Sequence, residues 1–510
     1  MKLLRLSCYL TLWFVLFAFT IIKADVPQPA NPNTTPEARA LLQFLYSISG
    51  KYTLTGQHNY PNSKSRNSEY AARYIGKIPA VFSSDFGFAK DGDKDSYLAR
   101  KDIVKEAIKQ YQAGSIITLM WHAVPPTADE PIVFQSNQGN NPADSLATVQ
   151  GQLLDQQFKD LLTPGTKIYN HWCAQVDSIA FYLKKLQDAH VPVLWRPYHE
   201  MNGNWFWWGG RIGEYGTAAL YRQIYDRLVN VHHLNNLLWV WSVDRPSTPE
   251  RKFSNFYPGN NYLDILSLDV YGNDFNQDYY DSLLVLAKGK PIALAEVGNP
   301  PSSKILEKQP GWLYYVIWAG MVRNTLKKQY DILMTDPRVL NRDDSMYIKL
   351  TLPYRNACGL PPIAIPPKPK LDFSGEWAFN ENKSELENAR SGFVPDRMQV
   401  YQYGNNLIAE KRFVQEYTDD RVENDTLNIN GEETKSQMYN SPMITKAKWS
   451  NDGDTLVINS KVTFTMGGRS MEMTTNELWT LSDDGNTLFI HQTADSFSEK
   501  RKVDLVYNKK

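Results

Sequence analysis

The chain has 510 residues, with 55 basic and 55 acidic side chains, 42% hydrophobic residues, 14 tryptophans and 3 cysteines. This charge balance argues against nucleic acid as a main partner, because no basic field attracts polyphosphate. The hydrophobic fraction excludes wholesale disorder and the few cysteines exclude a disulfide scaffold, so the length predicts more than one folded domain.

The first 24 residues have the features of a signal peptide. Lys2 and Arg5 precede an apolar stretch that is shorter than the roughly 20 residues of a membrane-spanning helix, and Ala24 ends the segment like a cleavage site. We therefore expect a secreted or otherwise extracytoplasmic monomer without stable membrane insertion, with an uncleaved anchor as the alternative. Cys173 and Cys358 could pair or remain buried thiols, and the sequence alone does not decide between these states.

Two segments rich in proline separate the remaining parts of the chain. Residues 25–37 combine Pro, Asn and Thr and are predicted to be a flexible lead-in. Residues 361–370 contain five prolines, which oppose both helix and sheet, so we predict a stiff linker there.

Between these segments, residues 38–360 alternate apolar runs with amphipathic helical spacers such as residues 176–186 and 217–231. Continuous apolar runs indicate parallel strands that are buried on both faces. Eight such runs favour a closed (β/α)8 barrel of the α/β class over an open doubly wound sheet. The predicted strands are residues 52–58, 79–87, 115–122, 191–200, 237–244, 263–272, 291–298 and 311–319.

Residues 371–510 change to a period of two, with turn residues at 403–406, 451–454, 467–468 and 483–486. This pattern predicts an all-antiparallel β domain, either a small barrel or a sandwich. Residues 373–377 resemble the start of lipocalin-like domains, but that short resemblance implies no ligand.

Carboxylates close two of the predicted barrel strands. Glu200 ends the fourth apolar run and Glu296 lies near the end of the seventh. Burying a carboxylate at a strand end is costly unless it is hydrogen-bonded or used in chemistry, so each is either a functional group or a buried ion-pair partner. In a (β/α)8 barrel the carboxyl ends of the strands carry the active site, which favours the functional interpretation.

Two facing carboxylates among aromatic side chains are what glycoside cleavage requires. One carboxylic acid protonates the departing oxygen, and the ionised partner either attacks the anomeric carbon or activates a water. Aromatic rings provide flat surfaces against which a sugar can pack. The tryptophans that follow Glu200 fit this interpretation.

The residues around these glutamates resemble glycoside hydrolase family 26, most members of which are endo-β-1,4-mannanases. The similarity lies in the block from Trp195 to Gly209 and in the segments 239–242, 269–272 and 295–298. The resemblance implies a retaining enzyme with Glu200 as acid/base and Glu296 as nucleophile. It also implies sugar-contacting or supporting roles for His122, His199, Trp205, Asp269 and Tyr271.

Elementary chemistry predicts how these groups would act. Glu200 must be protonated, so its surroundings should raise its pKa, whereas Tyr271 could donate a hydrogen bond that keeps Glu296 ionised. Asp269 could bind a sugar hydroxyl or orient another side chain, and Arg196 is expected to hold carboxylates in place. Trp205 and Trp318 are candidate stacking platforms. The residues at 207, 208, 239 and 241 are tryptophans that could equally pack the barrel against its helices.

The sequence therefore predicts a secreted retaining endo-β-1,4-mannanase acting on mannan, glucomannan or galactomannan. The alternatives are a β-1,4-xylanase or mixed-linkage β-glucanase of the same family, and a non-catalytic glycan-binding protein. The expected partner is a neutral β-mannan, and the chemistry requires no cofactor or metal. Retention predicts carboxyl groups about 5–5.5 Å apart, whereas inversion predicts about 6.5–9.5 Å.

Overall fold

The computed structural model describes residues 27–60, 64–87, 99–132, 147–364, 371–386, 394–415, 419–438, 441–451, 453–466, 469–482, 484–496 and 499–510. The predicted signal peptide, residues 365–370 of the predicted linker and the turn at 467–468 lie outside the described residues. None of the helices in the described part of the chain is both long enough and apolar enough to cross a membrane.

Eight parallel strands form a closed barrel, because the first strand pairs with both the second and the eighth. Each predicted apolar run coincides with one barrel strand, so the (β/α)8 prediction is confirmed. The strands are β1 (Thr53–Asn59), β2 (Val81–Asp85), β3 (Ile116–Trp121), β4 (Val193–Pro197), β5 (Leu237–Asp244), β6 (Ile265–Val270), β7 (Ile292–Val297) and β8 (Trp312–Ile317). A two-residue strand, β9 (Val339–Leu340), adds to the start of β1.

Every residue of β1 to β8 is buried, which explains their continuous apolar character. Helices with one apolar face cover the outside of the barrel. They are α1 (Pro36–Ile48), α2 (Arg66–Ile75), α3 (Arg100–Gln112), α4 (Asp155–Leu161), α5 (Lys167–Asp188), α6 (Thr217–Asp226), α7 (Gln277–Ala287), α8 (Ser303–Lys308), α9 (Lys327–Met334) and α10 (Ser345–Ala357). The two predicted helical spacers fall within α5 and within α6 plus the π-helical turn that continues it.

The described part of the lead-in is packed rather than flexible, which corrects the prediction for residues 25–37. The backbone N–H of Ala30 donates to Asp264 at 2.7 Å, and the buried Asn31 donates to Asn235 at 2.9 Å. Thr35 accepts from Ala38 N–H as the N-cap of α1. The polar composition that indicated a solvated segment instead provides hydrogen bonds to the barrel.

The two described cysteines do not form a disulfide. Cys173 is buried in α5, Cys358 is partly buried after α10, and both are free thiols.

Ten antiparallel strands form the second domain, in which the two edge strands are consecutive in the chain and contact each other, closing a barrel. The all-β prediction is confirmed, and the barrel is favoured over the sandwich. The strands are β10 (Gly375–Phe379), β11 (Arg397–Tyr403), β12 (Asn406–Phe413), β13 (Arg421–Asn428), β14 (Asn430–Met438), β15 (Ser441–Trp449), β16 (Leu456–Met466), β17 (Arg469–Leu481), β18 (Thr487–Ser496) and β19 (Glu499–Lys509).

Candidate active site

Glu200 and Glu296 meet at the carboxyl-terminal end of the parallel barrel. Glu296 lies within β7, whereas Glu200 lies three residues beyond β4. Both are buried, with 8% and 5% of their surface exposed. The backbone of Tyr198 and of Glu200 is left-handed, with φ of 47° and 53°, which turns the chain sharply at the end of β4. Such conformations cost on the order of 1–3 kcal/mol for residues other than glycine and persist only where the surroundings hold them.

Buried aromatic residues hold this turn. The side chain of Tyr198 is fully buried, and its hydroxyl accepts a hydrogen bond from Trp172 in α5 at 2.8 Å. Trp208 donates to the carbonyl of His199 and Trp207 donates to the carbonyl of Ala123, each at 2.8 Å. Trp207 and Trp208 therefore pack and support the turn that carries Glu200. Trp239 and Trp241 are also fully buried in β5.

Arg196 is the buried cation of the site. From β4 it donates to Glu296 Oε2 at 3.1 Å through both Nη1 and Nη2, and it also contacts Asp269. Its Nε donates to Ser242 at 3.2 Å. Burial alone would lower its pKa, but Asp269 and Glu296 raise it above the usual value, so the guanidinium is charged. Arg196 thus holds two carboxylates, as its sequence position predicted.

The second oxygen of Glu296 is held by Tyr271, immediately after β6. The Tyr271 hydroxyl donates to Glu296 Oε1, while Arg196 binds Oε2. Burial raises the pKa of Tyr271 well above its usual value, and the nearby charge of Glu296 adds to this effect, so the phenol keeps its proton. Both oxygens of Glu296 therefore accept hydrogen bonds from the protein, Oε1 from Tyr271 and Oε2 from Arg196.

Asp269 orients Arg196 and is not exposed towards the barrel mouth. It is fully buried in β6, its carboxylate contacts Arg196, and it accepts from Ser242 at 3.1 Å. Of the two roles predicted for Asp269, these contacts favour orienting another side chain over binding a sugar hydroxyl.

The environment of Glu200 favours its protonated form. Burial raises the pKa of Glu200 well above its usual range, and the negative charges of Asp269, Glu296 and Asp244 raise it further. Trp205 opposes this effect, because its Nε1 donates to Glu200 Oε2 at 2.5 Å. A glycine allows this approach, since a Cβ on Gly203 would lie 2.4 Å from the Trp205 ring. Trp205 thus contacts Glu200 directly. This contact was not part of the stacking role predicted for Trp205.

Replacing Trp205 with phenylalanine is expected to move the alkaline limb of kcat/KM to higher pH. The indole N–H stabilises the Glu200 carboxylate, so its loss raises the pKa of Glu200 and leaves the acid protonated at higher pH. Trp207→Phe is the matched control, because that indole donates to a backbone carbonyl. If the alkaline limb of the Trp205→Phe variant stayed in place or moved to lower pH, Trp205 would not be the group that lowers the pKa of Glu200.

Three histidines line the site next to Trp318. His122 directly follows β3 and contacts Asp85 through Nδ1, and the ring centroids of His122 and His199 are 4.4 Å apart. The ring of His58 stacks on Trp318 at 4.1 Å, and its Nδ1 lies 2.9 Å from Ser83.

Two of these histidines, His58 and His199, are neutral because they are buried. Burial lowers the pKa of His58 to about 3, and it lowers the pKa of His199 well below the usual range, so both are neutral. Burial opposes the charge of Asp85, but the charge and hydrogen bond of His122 outweigh it and lower the pKa of Asp85 to about 2.

Asp85 and His58 were not among the residues predicted from the sequence. Asp85 closes β2, so the rule that identified Glu200 and Glu296, a carboxylate at the end of an apolar run, could have found it. No comparable signal identifies His58, because its proximity to Trp318 depends on the pairing of β1 with β8.

The acidic groups of the site are close together. Carboxylate oxygens of Glu200, Asp269 and Glu296 lie within 4.8 Å of one another, a cluster that could hold a metal ion. The Arg196 guanidinium already contacts two of these three carboxylates, so the protein itself supplies the positive charge between them. The geometry therefore brings Glu200, whose pKa is raised, next to Glu296, both of whose oxygens accept hydrogen bonds, at a common point of the barrel mouth.

Curated proteins of known activity are similar to this chain in sequence. A mannan endo-1,4-beta-mannosidase of Thermothelomyces thermophilus is 34% identical over 61% of this chain and 62% of its own length. A mannan endo-1,4-beta-mannosidase A of a Piromyces species is 29% identical over 57% of this chain and 45% of its own length. The chain therefore spans less than two thirds of these curated relatives.

Solved structures show the same barrel. GH26A of Muricauda sp. MAR_2010_75 is 42% identical, with a TM-score of 0.56 over 61% of this chain and 98% of that one. The GH26-CBM35 β-(1,4)-mannanase of Podospora anserina is 29% identical, with a TM-score of 0.52 over 64% and 70% of the two chains. The sequence pattern of glycosyl hydrolase family 26 matches residues 30–344, which cover β1 to β9 and the site. The chain thus belongs to glycosyl hydrolase family 26.

Proposed function

We propose that this protein is a retaining endo-β-1,4-mannanase. The observation that carries the mechanism is the pair formed by Glu200 and Glu296, in which one carboxylate oxygen of each residue lies within 4.8 Å of one oxygen of the other. Retaining glycosidases have carboxyl groups about 5–5.5 Å apart, whereas inverting enzymes leave about 6.5–9.5 Å for a water. Carboxylate oxygens this close favour direct attack by a carboxylate over activation of a water held between the two groups.

The contacts of the two glutamates support distinct roles for them. Glu296, bound by Arg196 and Tyr271, attacks the anomeric carbon and forms a glycosyl ester while the bond to the leaving oxygen breaks. Glu200, whose pKa is raised by burial, gives its proton to that oxygen. In the second step Glu200 removes a proton from water, which attacks the same carbon and releases Glu296.

Mannan is the proposed substrate class. Both curated relatives named above are mannan endo-1,4-beta-mannosidases, and the match includes the strands that carry the two glutamates. Trp205 and Trp318 are partly exposed at the barrel mouth, where an indole can pack against a sugar ring. The balanced charge of the chain suits a neutral polysaccharide, which needs no electrostatic steering.

We further propose that the protein is secreted and acts as a monomer. The basis for secretion is the apolar stretch between Arg5 and Ala24, which has the length and flanking residues of a signal peptide. A polymeric substrate is also expected outside the cytoplasm.

Product analysis on mannopentaose tests the proposed activity. We expect internal cleavage to shorter manno-oligosaccharides, and NMR during the first minutes should show the β-anomer of the new reducing end before mutarotation. An α-anomer formed first would overturn retention. Initial rates on mannan, xylan and lichenan should be highest on mannan, and a clearly faster rate on another polymer would favour a xylanase or a glucanase.

A further inference from the structure

The barrel of the second domain encloses a cavity that the proposed activity does not use. Its volume is about 340 Å³, within the range of small-molecule sites. An apolar cluster that includes Trp377, Leu456 and Leu488 fills one end of the barrel. Beyond this cluster, the inward side chains of β11 to β19 line the cavity instead of filling it.

One wall of the cavity carries a row of hydroxyl groups. Thr445, Ser460 and Thr475 lie opposite one another on the neighbouring strands β15, β16 and β17. The hydroxyls of Thr445 and Ser460 are 3.0 Å apart and form a hydrogen bond. A hydroxyl both donates and accepts, so this row can bind a ligand that carries hydroxyl groups of its own.

The charged side chains of the lining balance one another. It contains three cationic and three anionic residues, namely Lys411, Arg421, Arg501, Glu423, Asp425 and Glu477. Lys411 Nζ lies 2.7 Å from Asp425, and Arg421 lies 3.4 Å from Glu423. Glu477 accepts from Trp479 at 2.8 Å and from Gln492 at 2.9 Å. An anionic lipid would therefore find the cation Lys411 already paired, whereas a neutral ligand leaves these pairs intact.

The lining includes a buried phenol that has no hydrogen-bond partner among the described residues. Tyr507 is fully buried, and its hydroxyl has no hydrogen-bond partner among the described residues. Buried polar groups are nearly always hydrogen-bonded, so a ligand atom is a natural partner for this phenol. Apolar surface lies nearby, because the side chains of Met398, Met443 and Met473 also face the cavity.

We propose that this cavity binds a short uncharged sugar. The hydroxyl row and the Tyr507 phenol would pair with sugar hydroxyls, while the flexible thioethers would pack against the C–H faces of the ring. The class of ligand follows from the cavity alone. The use of mannobiose as a probe rests on the proposed function, so cellobiose, which is also an uncharged β-1,4-linked disaccharide, is tested beside it.

Calorimetric titration of the full chain tests the proposal, in a Glu296→Ala background that prevents hydrolysis. Thr475→Met places a larger side chain in the cavity, and Thr474→Met is the matched control, since Thr474 is the exposed neighbour on the opposite face of β17. We expect Thr475→Met to abolish one binding event for at least one disaccharide, while Thr474→Met retains it. Identical isotherms for both disaccharides in all three proteins would overturn the proposal.

A conservative variant keeps the test decisive if Thr475→Met does not fold. Tyr507→Phe removes one oxygen and should weaken the same binding event about three- to tenfold, the typical effect of one hydrogen bond. Unchanged affinity would contradict the assignment of Tyr507, and palmitate binding that competes with the sugar would overturn the ligand class. With Glu296 restored, Thr475→Met should hydrolyse mannan at the parental rate, so failure of the cavity site is distinguishable from failure of the proposed function.

Discussion

Replacing Glu296 with alanine is expected to lower kcat on mannan by about 10⁴- to 10⁶-fold, the range seen when a nucleophile is removed from an enzyme. Among the described neighbours none is suited to take over the attack, because Arg196 and Tyr271 are donors, Asp269 is fully buried and burial favours the protonated form of Glu200. Steady-state kinetics measure the loss, and circular dichroism checks the fold. Glu250→Ala, which removes an exposed carboxylate after β5, should keep the parental rate.

The corresponding Glu200→Ala variant distinguishes the two glutamates. On mannan its kcat should fall by about 10²- to 10⁴-fold, the usual contribution of a general acid. On a dinitrophenyl mannoside, whose leaving group needs no proton, the glycosyl ester should still form and release a burst of dinitrophenol. Glu296→Ala should show no burst. The reverse pattern would exchange the two roles, and equal losses on both substrates would contradict the assignment of Glu200 as the acid.

Replacing Arg196 with methionine is expected to lower the free energy of unfolding by about 3–5 kcal/mol, the cost of removing one partner from a buried ion pair. Asp269 and Glu296 would then be buried close together without a counter-charge. Urea unfolding measures the effect. Arg211→Met is the control, since its partner Asp155 is almost fully exposed and such pairs contribute about 1 kcal/mol or less.

The loss of unfolding free energy in the Arg196→Met variant should also depend on pH. Burial already raises the pKa of Asp269 well above its usual value and Arg196 opposes that effect, so loss of the guanidinium raises the folded-state pKa of Asp269 further above the unfolded value. The folded state then binds more protons than the unfolded state, so stability falls as the pH rises through this range. The variant should therefore be closest to the parent in acid and furthest from it at neutral pH. A loss that is the same at every pH would show that Arg196 contributes through packing alone.

Much of the barrel could be predicted because its strands are buried on both faces. That environment requires continuous apolar runs, and all eight runs became strands. Glu200 and Glu296 could be identified for the same reason, because a carboxylate at the end of such an apolar run is costly to bury. The period of two after residue 371 identified an antiparallel domain for a similar reason, because alternate residues face the inside.

The tertiary structure decided which side chains become partners. Arg196 and Glu296 are 100 residues apart, and so are brought together only by closure of the barrel. The role of Asp269 depended on its burial beneath Arg196, and the stacking of His58 on Trp318 depended on the pairing of β1 with β8. The choice between barrel and sandwich required contact between the edge strands β13 and β14.

The sequence by itself thus determined the strands, the domain types and the two glutamates, because burial and periodicity are local properties of the chain. Only the tertiary structure decided which groups raise the pKa of Glu200, which carboxylates pair with Arg196 and where the second domain has its cavity. These properties depend on distances and desolvation between segments that are remote in sequence, and no local pattern encodes them.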